Sequence, residues 1–260
     1  MLAGTGAEVC AGVLIMSKPR ISLQLWSVRE DTQKDFAATV AEVAKIGYAG
    51  VELAGYGNLD PAGVKAALDA SGLRVSGMHV GRPRLVDDIT AVIAEAKLFG
   101  TRDIICSSWP KEQFTDRAAC ERIGEELDAL GAQVRAAGLR FSFHNHDTEM
   151  QVFEGRTAFD WMLGAAQPRN LSAEPDVYWI HVGGQSPAKF LRDHGARCPL
   201  IHLKDETELG LGPVDFPAVF AATGDVGAAE WYVVEQEQYK RTPLESVRAC
   251  YEQLRHWGRA

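Results

Sequence analysis

The stretch Phe141-Ser-Phe-His-Asn-His-Asp-Thr-Glu149 sets two histidines and two acids directly behind a short apolar run. Read as a strand, it puts Ser142, His144 and His146 on one face and Phe141 and Phe143 on the other. The pattern recurs downstream. Asp176 follows Asn170-Leu-Ser-Ala-Glu-Pro, His202 and Lys204 follow Pro199-Leu-Ile, and Glu235 and Glu237 follow Trp231-Tyr-Val-Val. Earlier apolar runs end on Gln24, Glu52 and His79. Carboxylates gathered in one place repel unless a cation compensates them. Carboxylates joined by histidine suit one divalent ion (Mn2+, Mg2+, Co2+ or Zn2+) with positions left for substrate oxygens. Such an ion acts as a Lewis acid on a carbonyl or alkoxide.

One fold must bring these strand ends together. Apolar runs alternate with segments of helical spacing from Arg20 onwards. Strands are expected over 21–26, 50–53, 73–80, 103–107, 141–149, a run ending at Asp176, 200–204 and 231–235. Helices are expected over 35–46, 61–70, 86–99, 116–137, 157–166, 187–194, 216–222 and 244–257. Eight strand–helix units with right-handed crossovers predict a single (β/α)8 TIM barrel over residues 20–260. A doubly wound open sheet would carry a glycine-rich loop after its first strand, and Gln24-Leu-Trp-Ser-Val-Arg29 has none. Residues 1–19 read as a disordered leader, with Met16 a candidate start. The apolar run Val9–Met16 is too short to span a bilayer and lacks a basic flank.

The chain has 260 residues and a net charge of −8, which argues against nucleic acid or an anionic membrane as partner. Its five cysteines show no Cys-x-x-Cys spacing, so neither a zinc ribbon nor a disulfide framework is expected, and a reduced cytoplasmic setting is.

Gln24-Leu-Trp-Ser-Val-Arg29, Ile46-Gly-Tyr-Ala-Gly-Val-Glu-Leu53, His144-Asn-His-Asp-Thr-Glu149, Pro175-Asp-Val-Tyr-Trp179, His202-Leu-Lys-Asp205 and Val234-Glu-Gln236 together resemble the sugar phosphate isomerase/epimerase family of xylose-isomerase-like TIM barrels. The resemblance spans Arg20 to Trp257. It implies one divalent metal held from strands five to eight and proton transfer between adjacent carbons of a ketose or keto-sugar. By position it implies Asp176, His202 and Glu235 as ligands. At strand five, where the family carries a glutamate, Glu149 is the expected ligand, with His144 or His146 as substitute. Glu235, His144, His146 and Glu149 are the candidate catalytic residues. Gln24, Glu52, His79, Trp109, Lys204 and Glu237 are the candidate contacts to a sugar or polyol. The resemblance leaves room for a homo-oligomer.

A sugar isomerase or epimerase is the first expectation. A histidine at strand five also suits a keto-sugar lyase or dehydratase, such as an inosose dehydratase or a deglycosidase of 3-keto-glycosides. An abasic-site endonuclease would want more ligands and a basic groove, and a non-catalytic sugar-binding barrel would need no metal. Leu209-Gly-Leu-Gly-Pro213 resembles the family's Gly-Glu-Gly loop, with Leu211 where an acid is common. The bland readings are a helix cap for Asp176, a satisfied core histidine for His202, a solvated acidic loop for Glu235 and Glu237, and core packing for Trp26, Trp109 and Trp179.

Overall fold

A computed structural model describes residues 18–260; residues 1–17 of the expected leader, Cys10 and Met16 among them, lie outside the described residues. Strands β1 (Arg20–Gln24), β2 (Gly50–Leu53), β3 (Arg74–Val80), β4 (Asp103–Cys106), β5 (Arg140–His144), β6 (Ser172–Glu174), β7 (Leu200–Leu203) and β8 (Trp231–Val234) form one parallel sheet. Each strand pairs with its chain neighbour, and β1 pairs with β8. The last seam, β6 to β7, closes through a single bridge between Asp176 and His202, with the His202 N–H donating to the Pro175 carbonyl at 2.9 Å. Proline cannot donate to a ladder, so this seam is thin where two candidate ligands meet. The result is the expected (β/α)8 barrel.

Helices α1 (Arg29–Ile46), α2 (Pro61–Ser71), α3 (Arg82–Asp87), α4 (Ile89–Phe99), α5 (Arg117–Ala136), α6 (Ala158–Ala165), α7 (Val177–Val182), α8 (Pro187–His194), α9 (Phe216–Val226) and α10 (Pro243–His256) surround it. Phe36, Val40 and Val43 of α1, and Ile123, Leu127 and Val134 of α5, are buried at the helical spacing that marked them. The main apolar core lies between sheet and helices, while Leu200, Trp231 and Val233 form a small separate cluster.

Several boundaries differ from expectation, each for a local reason. The first helix starts at Arg29 and kinks at Asp35, whose carboxylate accepts the Ala38 N–H at 3.0 Å. The expected 86–99 helix is two, because Asp88 leaves helical geometry and caps α4 through the Ala91 N–H at 3.1 Å. The strand expected to reach Glu149 stops at His144, and a 3-10 turn follows at Thr148–Met150. A hairpin (Val152–Phe153 with Arg156–Thr157) and the short α7 were not expected. No described helix is long and apolar enough to cross a membrane. Cys106, Cys120, Cys198 and Cys250 are free and buried.

Candidate metal centre

The strand ends supply two layers of buried polar groups. In the upper layer His144 closes β5, Asp176 follows β6, His202 sits within β7 and Glu235 follows β8. One donor atom from each of these four lies within 4.8 Å of the other three. His202 Nδ1 is 3.3 Å from Glu235 Oε2. Lys204, itself buried, has Nζ 3.5 Å from the same oxygen, donates to Glu237, and lies 4.7 Å above the Trp179 ring.

The lower layer is Gln24, Glu52, His79 and Glu174, from β1, β2, β3 and β6. Gln24 Nε2 donates to Glu52 Oε2 at 2.7 Å, and His202 Nε2 reaches the same oxygen at 2.7 Å. His79 Nε2 is 2.8 Å from Glu174 Oε2 and 3.0 Å from Glu52 Oε2. Gly77 makes room for this layer: a Cβ there would sit 2.7 Å from Glu52 Oε1 and 2.5 Å from Ile105.

Burial and mutual charge set the ionisation. Burial lifts Glu174, with Glu52 adding to it, to about 7, and lifts Asp176 to about 6. For Glu235 burial is outweighed by Lys204 and His202, which hold it below the usual carboxylate range; for Glu52 it is outweighed by His79 and His202. Burial lowers His146, and it lowers His144 well below the ordinary histidine value with help from His202 and His79. His202 and Lys204 are raised against burial by their carboxylate neighbours.

The residues fit a divalent ion by their own chemistry. Asp176 Oδ1 accepts the N–H groups of Tyr178 and Trp179 at 2.9 and 3.0 Å and so caps α7. Its Oδ2 is buried without a hydrogen-bond partner, as are His144 Nδ1, Glu174 Oε1 and Glu52 Oε1. The cap reading of Asp176 and the ligand reading therefore describe different oxygens of one carboxylate. When His202 donates Nε2–H to Glu52, its Nδ1 lone pair faces a Glu235 oxygen, and two facing acceptors require a proton or a cation between them. His144, Asp176, His202 and Glu235 would hold the ion, with Glu52 behind His202.

A cavity of about 370 Å3 opens above, lined by Trp26, Ala54, His79, Ser107, Ser108, His144, His146, Glu235 and Glu237. Of the expected substrate contacts, His79 and Glu237 reach it and Lys204 stands behind Glu237. Gln24 and Glu52 do not: both are fully buried in the lower layer. Nor is Trp109 among the lining residues. It is buried, donates Nε1–H to Gln113 at 2.8 Å and carries the Arg82 guanidinium on its ring. Trp26 lines the cavity from a 3-10 turn rather than from the strand.

Glu149 does not join the donor group. It lies in the 3-10 turn, its Oε2 accepts the His146 N–H at 2.9 Å, and burial lifts its carboxyl to about 7. The backbone bends after His144, so strand alternation does not carry to residue 149; His144 takes the strand-five place and His146 turns to the cavity. Glu174 had no expected role, although its place two residues before Asp176 on a strand signals a shared face.

The sequence pattern of the xylose isomerase-like TIM barrel family matches residues 40–257, and the chain belongs to that family, whose members are enzymes. It is 25% identical to an inosose dehydratase of Salmonella typhimurium, over 84% of this chain and 86% of that protein. Its fold is similar to a sugar phosphate isomerase/epimerase of Parabacteroides distasonis (22% identity, 94% and 98% coverage, TM-score 0.83). It is likewise similar to the IOLI protein, whose structure carries a bound zinc atom (13% identity, 91% and 97% coverage, TM-score 0.73).

Proposed function

We propose that this chain is a divalent-metal-dependent enzyme that removes a proton next to the carbonyl of a keto-sugar or keto-polyol, with elimination across the adjacent carbon–oxygen bond as the outcome. The observation that carries this is His146, which lines the cavity outside the donor group with an imidazole that burial keeps neutral. A neutral imidazole facing the substrate is a general base. At strand five the donor group contains His144 rather than a carboxylate, which removes the pair of opposed glutamates that suits reversible epimerisation.

Bound at His144, Asp176, His202 and Glu235, a divalent ion would supply Lewis acidity to the carbonyl. His146 takes the proton from the carbon beside that carbonyl. The electron pair moves into a new C–C double bond as the neighbouring C–O bond breaks. The departing oxygen collects a proton at Glu237, which lines the cavity and relays it from the Lys204 ammonium that donates to it. The inosose dehydratase relatives support this outcome. A second reading is isomerisation or epimerisation: Glu235 also lines the cavity, so a proton taken by one group can be returned by the other.

The test is solvent deuterium exchange. Metal-loaded and chelator-treated protein would be offered ketoses, inososes and 3-keto-glycosides in D2O and followed by NMR. Metal-dependent exchange beside the carbonyl is expected, with an unsaturated or deoxygenated product for the lyase and a stereoisomer for the second reading. Absence of both exchange and bound metal would leave a sugar-binding barrel.

A further inference from the structure

We propose that the cavity is specific for an uncharged, non-phosphorylated substrate, and that Asp205 occupies the backbone anion cradle formed by the loop after β7. The inference rests on the cavity being the place of a keto-sugar or keto-polyol. In (β/α)8 enzymes a substrate phosphate is commonly held by backbone N–H groups of the loops after strands seven and eight. Here the loop after β7 contains Gly210 and Gly212, the composition such a cradle requires. Its amides are already used. Asp205 is buried, and its Oδ2 accepts the N–H groups of Gly210 at 3.0 Å and Gly212 at 3.1 Å. Its Oδ1 accepts those of Glu206 at 3.1 Å and Val214 at 3.4 Å. Gly212 is required by this carboxylate, because a Cβ there would come within 2.1 Å of Asp205 Oδ1. The loop is wrapped around an anion that the chain itself provides.

The side chains point the same way. Among the described residues no lysine or arginine lines the cavity, whereas Glu235 and Glu237 do. The nearest buried cation, Lys204, is shared between those two carboxylates. Arg29 lies over Trp26 and donates to the Trp26 carbonyl and the Tyr239 hydroxyl. Lys240 and Arg241, in the loop after β8, do not line the cavity either. A phosphate dianion entering here would meet two carboxylates, no guanidinium or ammonium among the residues that line the cavity, and a filled nest, so like-charge repulsion would exclude it.

The experiment compares matched pairs: D-fructose with its 6-phosphate, and D-ribulose and D-xylulose each with its 5-phosphate. Each is followed by deuterium exchange with metal-loaded protein. In every pair that reacts, the free sugar is expected to show kcat/KM at least about ten-fold higher, roughly the cost of one poorly screened like-charge contact. Preference for the phosphorylated member of any pair would overturn the proposal. A second arm does not depend on turnover. Sulfate, a tetrahedral dianion, is titrated calorimetrically into wild-type protein and Asp205→Ala. Wild type is expected to take up none saturably in the millimolar range, and the variant to gain a site. Saturable sulfate uptake by wild type would overturn the proposal even if Asp205→Ala fails to fold. If no keto compound exchanges at all, the proposed function fails, and the sulfate arm alone decides the present inference.

Discussion

The two ends of this barrel both gather charge and resolve it in opposite ways. At the N-terminal end, Asp103 and Glu230 meet guanidinium groups. Arg140 donates to Asp103 Oδ2 at 2.9 Å and to Glu230 Oε1 at 2.9 Å, and Arg102 adds a further bond to Glu230. Each carboxylate there has a permanent cation beside it, and the arrangement is complete without a ligand. At the C-terminal end Glu52, Glu174, Asp176 and Glu235 share three histidines, His79, His144 and His202, and one lysine, and three of these four carboxylates keep a buried oxygen without a partner. Matched charge is structure; unmatched buried charge is capacity for an ion. The difference between the ends, rather than acidity as such, marks the functional face.

The sharpest way to break this comparison is at the upper layer. His202→Ala should lower metal affinity by more than about a hundred-fold, since His202 belongs to both overlapping donor groups, and Asp176→Asn should cost less, because His79 and Glu174 lie within reach of His144 and His202. Retention of stoichiometric metal after dialysis, read by mass spectrometry, would show the donor group wrongly assigned. At the opposite end, Arg140→Ala should cost about 3 kcal/mol of stability in denaturant unfolding, because it strips Asp103 of its main partner. Metal content should not change.

The lower layer sharpens the comparison further. Glu52→Gln keeps the shape but removes the charge that fixes the His202 ring, and a second-layer change of this kind weakens metal binding about 10- to 100-fold. The effect should appear in a metal competition titration, with the fold unaltered by circular dichroism. An Asp at this position should recover less than wild type, because its shorter stem no longer reaches Nε2.

The smallest expected effect concerns Glu149. Its folded pKa is raised from 4.5 to about 7, so the stability it contributes is present below the unfolded value and is lost as pH rises through the folded one. Glu149→Gln, which still accepts from the His146 N–H, should therefore be more stable than wild type by about 1 kcal/mol at pH about 8. The gap should close towards pH about 5, where wild-type Glu149 is protonated in the folded state. A thermal melt series across that window checks the sign. If Glu149 instead reaches the metal, the variant loses metal and the order reverses.

Much of this was legible in the residues. Eight apolar runs, each followed by a helical pattern and a turn, specify the barrel because a parallel sheet can bury both faces of every strand only under a ring of helices. The same logic drew attention to Asp176, His202 and Glu235, whose donor atoms come together with that of His144. The sequence also fixed which residue types were present for a divalent ion and how few cations were present to hold an anion.

Tertiary structure decided what each group faces. Gln24 and Glu52 belong to their strands as expected, yet Glu52 reaches across the barrel to His202 at 2.7 Å, and Gln24, on the neighbouring strand, donates to Glu52 at 2.7 Å. His144 displaces Glu149 because the strand ends at His144 and a 3-10 turn carries Glu149, and side-chain alternation carries no information past the end of a strand. Asp205 closes the glycine loop around itself, a contact that depends on where a loop of ten residues folds back. Local pattern sets which residues reach the strand ends; the distances between strands, which no local pattern encodes, set which of them can share an ion.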